Sequence, residues 1–97
     1  MIKKNFRIKV HPGELLQNIL DESGLTQTRL AKHLKMPQSK ISEICCGRRG
    51  ISPQMAMKLG KAFGQSPEFW LNLQRNWELA SLDDAEFAEI RKIKLRA

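Results

Sequence analysis

Residues 27–47 read QTRLAKHLKMPQSKISEICCG, and this stretch decides the fold. Thr26 stands just before it as a natural N-cap, and Leu30, Ala31 and Leu34 recur on one helical face. Only Lys35 and Met36 intervene before a second helix, expected to begin at Pro37 and to bury Ile41, Ile44 and Cys45. Two short helices joined by so brief a turn must cross closely. Ala31 is the small residue that such a crossing needs, while Leu30, Leu34, Met36, Ile41 and Ile44 lock one helix on the other. The N-terminal residues of the second helix are then left to project away from the body of the protein.

The flanking sequence carries the same punctuation. On the N-terminal side, Pro12 suits a first helical turn, and Leu15, Leu16, Ile19 and Leu20 share a face before Gly24 ends the helix. On the C-terminal side, residues 47–50 form a loop. Ser52 and Pro53 then open a fourth helix with Met55, Leu59, Ala62 and Phe63 inward, stopped by Gly64. Ser66 and Pro67 repeat the signal for a fifth, which runs through Phe69, Trp70, Leu73 and Trp77. A last helical segment over 81–97 is expected. Asp83, Asp84 and Glu86 near its start and Arg91, Lys92, Lys94 and Arg96 near its end would complement a helix dipole. Strand-like alternation is confined to a weak pattern at 6–10. The expectation is one all-α domain over 1–97, with five helices, a basic arm at 1–10 and the C-terminal segment as an extension.

Composition narrows the function. The chain has 97 residues and a formal net charge of +7. Residues 1–50 hold ten Lys/Arg against four Asp/Glu, whereas residues 51–97 hold seven against six. Charge concentrated in one half reads as a surface for a polyanion. Cys45 and Cys46 are neighbours, poorly placed for a disulfide, and His11 and His33 stand at no metal-ligand spacing from them. No catalytic set, metal or cofactor is expected, so the chain does not read as an enzyme. His11, before Pro12, and His33, on the outer side of a helix, read as structural or solvated. No apolar stretch approaches the length of a membrane span or a signal core, and the expected location is the cytoplasm.

The motif at 27–47 resembles the phage-repressor-like (Xre) class of helix-turn-helix proteins, over residues 12–64 and, with the fifth helix, a five-helix repressor fold. That resemblance implies double-stranded DNA as the ligand. Gln27 would lie near a phosphate, and Gln38 and Ser39 at the start of the recognition helix would meet base edges. Lys40, Ser42 and Glu43 follow on or near the exposed face. Gln pairs in bidentate fashion with adenine, and Arg48 and Arg49 suit phosphates. The sequence departs from the class at two positions. The class often has Gly where Lys35 stands, in a left-handed conformation that costs a non-glycine residue about 1 kcal/mol. It often has Asn where Cys46 stands, which removes one polar contact to the DNA backbone.

HPGELL at 11–16, RRGIS at 48–52 and SPEFWLNLQRNWELA at 66–80 together are similar to the HigA (VapI-like) antitoxin family. This implies a homodimer that represses its own operon at a palindromic operator and neutralises a HigB/RelE-like mRNA-cleaving ribonuclease toxin. A stand-alone Xre-type regulator without a toxin would use the same DNA chemistry. Phe69, Trp70, Leu73 and Trp77 are the expected dimer interface, since two Trp and a Phe within nine residues exceed the needs of so small a core. For the toxin, the acidic run Asp83, Asp84, Glu86 and Glu89 and the arm at 3–10 are alternative surfaces.

Overall fold

A computed structural model describes residues 9–96, and among these the secondary structure is entirely helical. Five α-helices follow in order: α1 (Pro12–Ser23), α2 (Gln27–Leu34), α3 (Gln38–Cys45), α4 (Pro53–Phe63) and α5 (Pro67–Ala80). Local chemistry sets nearly every boundary. Thr26 Oγ1 accepts from Arg29 N at 3.1 Å, Ser52 Oγ from Met55 N at 3.1 Å, and Ser66 Oγ from Phe69 N at 3.3 Å. Each satisfies an amide that the first helical turn cannot pair internally. Gly24 and Gly64 end α1 and α4 in the left-handed conformation. Lys35 ends α2 in that same conformation, at φ 56° and ψ 51°, and is the sole positive-φ non-glycine among the described residues. The turn is closed by Met36 N donating to Ala31 O at 3.0 Å. The helix after it starts one residue later than expected, with Pro37 extended as the N-cap.

The core lies where the five helices converge. Leu16, Leu20, Leu30, Ala31, Ile41, Ile44, Ile51, Met55, Ala56, Leu59 and Trp70 form one buried cluster. Its principal helix contacts are α4 on α5, α2 on α3, and α1 on both α3 and α5. Leu15, Ile19, Leu34, Met36, Cys45, Phe63 and Leu73 pack partly buried against it. Two glycines mark backbones too close for a side chain. A Cβ on Gly13 would be driven into the Ile44 carbonyl oxygen, and one on Gly60 would lie 2.5 Å from Gln65 O. The loop before α4 is tied to α5 by Ile51 N donating to Gln74 Oε1 at 2.8 Å.

Two expectations are corrected. The segment after α5 is not a sustained helix. A single 3-10 turn spans Asp84–Phe87, capped by Asp83 Oδ1, and residues 90–96 have no regular structure. Complementary charges at the two ends supply only about 0.3–1 kcal/mol each. Helix nucleation outweighs that unless a packed face repays it, and Ile90, Ile93 and Leu95 remain 73–81% exposed. The second correction concerns Trp70, which is 0% exposed. Its Nε1 donates to Gln65 Oε1 at 2.6 Å, and Phe69 and Phe63 lie against its ring. Trp70 belongs to the protomer's own core and has no surface to give to a partner. Of the other three, Phe69 is exposed and Leu73 and Trp77 are half-buried. No described helix is long and apolar enough to cross a membrane.

Candidate nucleic-acid interface

α3 presents its first turn to solvent because its own apolar face is fully engaged. Ile41 and Ile44 are buried, and three residues ahead of Ile41 the side chains of Gln38, Ser39 and Lys40 are exposed. Ser42 and Glu43 lie half-buried farther along. Pro37 provides no side-chain cap for the first turn of α3, where Lys40 N donates to Pro37 O at 3.2 Å. Helix N-termini of this kind favour anions.

Gln27, at the start of α2, is brought beside this turn by the close crossing of α2 and α3. Gln38 Nε2 donates to Gln27 Oε1 at 3.2 Å, and Gln27 Nε2 donates to Gln17 Oε1 at 2.9 Å. Gln17 Nε2 in turn reaches Asp21 Oδ1 at 2.8 Å. The leading residue of the exposed helix is therefore held by a row of side-chain amides that runs back into α1. Gln17 and Asp21 were not legible as part of the site. They precede Gln27 by ten and six positions in another helix, and no periodicity links them to it.

The loop after α3 carries the expected arginines, both exposed. Their amides donate to Glu43 O, Arg48 at 2.9 Å and Arg49 at 3.2 Å, which folds the loop back on α3. Arg49 Nε also bonds Glu43 Oε1 at 2.8 Å. Glu43 thus orients an arginine instead of standing as a bare carboxylate beside an anionic ligand. The pair is nearly half exposed on both sides, and surface pairs of this kind contribute about 0–1 kcal/mol. A phosphate can compete for the remaining guanidinium N–H groups at small cost. Lys40 and Arg49 share a groove with Ser52, Gln54 and Lys58, three residues absent from the expected site. The Ser-Pro signal at 52–53 could have pointed there, because it turns the start of α4 toward the same side.

The remaining polar groups have structural explanations. His11 Nδ1 accepts from Gly13 N at 2.9 Å and caps α1, while Glu14 Oε2 accepts from His11 N at 3.2 Å. Its ring stands edge-on to Trp77 at 4.8 Å. Burial pushes its pKa below the usual histidine value, with the Glu14 carboxylate opposing in part. His33 is exposed. Burial raises the pKa of the Cys45 thiol, with Cys46 and Asp21 adding to the shift. Cys46 is exposed, its Sγ 3.5 Å from Glu43 O. Among the described residues, no three His, Cys, Asp or Glu side chains gather as a metal ion would require. Of the two surfaces considered for a toxin, the acidic residues Asp83, Asp84, Glu86 and Glu89 are all exposed. The arm lies mostly outside the described residues, apart from exposed Lys9 and Val10.

A buried helix pair that thrusts a polar, capless helix start and flanking cations outward defines a repressor-like helix-turn-helix protein. The pattern of the helix-turn-helix family matches residues 16–70. The chain is 47% identical to virulence-associated protein A' of Dichelobacter nodosus, over 76% of this chain and 65% of that one. It is similar to a solved addiction module antidote protein of the HigA family from Coxiella burnetii. Identity there is 32% and the TM-score 0.81, over 88% of this chain and 98% of the other. It is similar too to Pseudomonas aeruginosa antitoxin HigA, solved with the higBA promoter. There the identity is 36% and the TM-score 0.73, over 84% and 85% of the two chains. The chain belongs to the helix-turn-helix family, among relatives that include the HigA antitoxins and the virulence-associated proteins.

Proposed function

We propose that this chain is the antitoxin of a type II toxin–antitoxin pair, binding a palindromic operator as a homodimer to repress its own operon and neutralising an mRNA-cleaving toxin of the HigB/RelE type. The observation that carries the DNA half is the exposed start of α3, where Gln38 is held ready by neighbouring amides and flanked by Ser39 and Lys40. Gln38 and Ser39 read bases, Gln27 lies beside them near a phosphate, and Lys40, Ser42 and the Arg48–Arg49 loop supply backbone contacts. The similarity to an antitoxin solved on promoter DNA supports the same use of this surface. One module of this size meets too few bases for genomic specificity, and a two-fold pair on half-sites about one helical turn apart supplies the rest.

The toxin half rests on kinship with HigA antitoxins. Toxins of this type are basic, so a chain of net charge +7 must attract one locally. The exposed acidic residues around the 3-10 turn suit that role. Two experiments test the proposal. Gln38→Ala should weaken operator binding by about 1–3 kcal/mol and relax the preference at one base pair, as loss of a bidentate contact requires; an unchanged preference would refute the orientation of α3. Expression of the neighbouring gene should arrest growth, and co-expression of this chain should relieve the arrest. Arrest without relief leaves a stand-alone DNA-binding regulator.

A further inference from the structure

The row of amides behind Gln38 has a direction, and its far end sets it. Asp21 offers a carboxylate, which supplies only lone pairs. Gln17 must therefore turn its Nε2 toward Asp21 Oδ1, at 2.8 Å, and leave its Oε1 for Gln27. Gln27 must then donate from Nε2, at 2.9 Å, and leave its own Oε1 for Gln38. Gln38 closes the row by donating from Nε2 at 3.2 Å. One choice at Asp21 thus propagates through three amides, each of which would otherwise be free to flip. At the exposed end, Gln38 is left with the lone pairs of Oε1 and one remaining N–H.

We infer that Asp21, through Gln17 and Gln27, orients the Gln38 amide so that it selects adenine over guanine. The inference rests on the reading of α3 as the base-contacting helix. In the major groove adenine offers an acceptor at N7 and a donor at N6, which match the remaining N–H and Oε1 of Gln38. Guanine offers acceptors at both N7 and O6 and would set O6 against Gln38 Oε1. Presenting two N–H groups to guanine would require Gln38 to give up its bond to Gln27 or the whole row to reverse. Asp21 touches no base in this arrangement and is a positioning residue. It is exposed on α1, so its replacement leaves the core intact.

The test is selection of binding sites by the full-length protein from a randomised duplex library, with thermal denaturation run in parallel. Gln38→Ala identifies the base pair that Gln38 reads, as the column that loses its preference. At that column the wild type should favour adenine over guanine by about tenfold or more, the discrimination of one good bidentate pair. Asp21→Glu keeps an acceptor and should keep the preference. Asp21→Asn can face either way and should reduce it severalfold. Asp21→Lys can only donate, which reverses each amide in turn and should move the preference toward guanine. Preferences elsewhere in the site and the melting temperature should not change. An adenine preference that survives Asp21→Lys, while Gln38→Ala abolishes it, overturns the relay and leaves the recognition helix standing. A library from which no column depends on Gln38 overturns both.

Discussion

At Lys35 the chain accepts a conformation that its side chain disfavours. The turn between α2 and α3 places Lys35 in the left-handed region, and the Lys35 and Met36 amides close it by donating to Ala31 O. Lys35→Gly should raise stability by about 0.5–1 kcal/mol, the relief of strain being partly offset by glycine's freedom in the unfolded chain. Equilibrium urea unfolding measures it, and a loss of stability would show that the lysine side chain contributes something the turn needs. His11 is an equally local device with a pH signature. Its cap requires an unprotonated Nδ1. Because burial lowers the folded-state pKa, the unfolded chain takes up the proton first as the pH falls. The cap's contribution is therefore complete above about pH 6.5, the unfolded value, and is lost as pH falls through the lower folded value. His11→Asn caps with an amide oxygen that does not titrate. Its unfolding midpoint should fall less than that of the wild type between pH 7 and pH 5.

Between elements, the tightest constraint is the approach of α1 to α3. Gly13 meets the Ile44 carbonyl with no room for a Cβ, so α1 can enter the bundle beside the end of α3 only with glycine at that point. Gly13→Ala should destabilise by about 1–3 kcal/mol, the range for overpacking a close contact. It should also weaken DNA binding, since the shift displaces α3 itself. A variant as stable as the wild type in thermal unfolding would contradict that geometry. The segment expected as a sixth helix fails at this scale for a different reason. Its charges are arranged as a helix prefers, but Ile90, Ile93 and Leu95 stay exposed instead of packing on the bundle. Capping signals sufficed for α2, α4 and α5 because each also buries a face.

For the molecule as a whole, the two-fold pairing proposed above must use what the protomer leaves uncovered. Trp70 is spent on the core, whereas Phe69 on α5 and Phe87 beyond it are exposed, as are Ile90, Ile93 and Leu95 in the C-terminal segment. So much exposed apolar surface on a small chain suits an interface. Sedimentation at micromolar concentration should show a dimer, and Phe69→Glu should give a folded monomer with the helical content of the wild type. A wild-type monomer would refute the pairing. Trp70→Glu should instead unfold the protomer, because it places an unpaired charge in the centre of the core.

Read alone, the order of residues determined the five helices, their stops and the exposed start of α3. Those features are written in nearest-neighbour chemistry: a hydroxyl before a proline, a glycine after a periodic run, apolar residues three and four apart. It also put Gln38 and Ser39 at the start of that helix and Arg48 and Arg49 in the loop after it, where all four side chains are exposed. Tertiary structure alone decided that Trp70 faces inward, that Glu43 pairs with Arg49, and that Gln17 and Asp21 stand behind Gln38. Each of these depends on how the chain folds back on itself, helix against helix or, for Glu43 and Arg49, loop against helix. Contacts between α1, α2 and α3, or between α4 and α5, join residues whose separation along the chain carries no repeating signal. An aromatic cluster at helical spacing has the same pattern whether it fills its own core or awaits a partner, and only the packed neighbours distinguish the two.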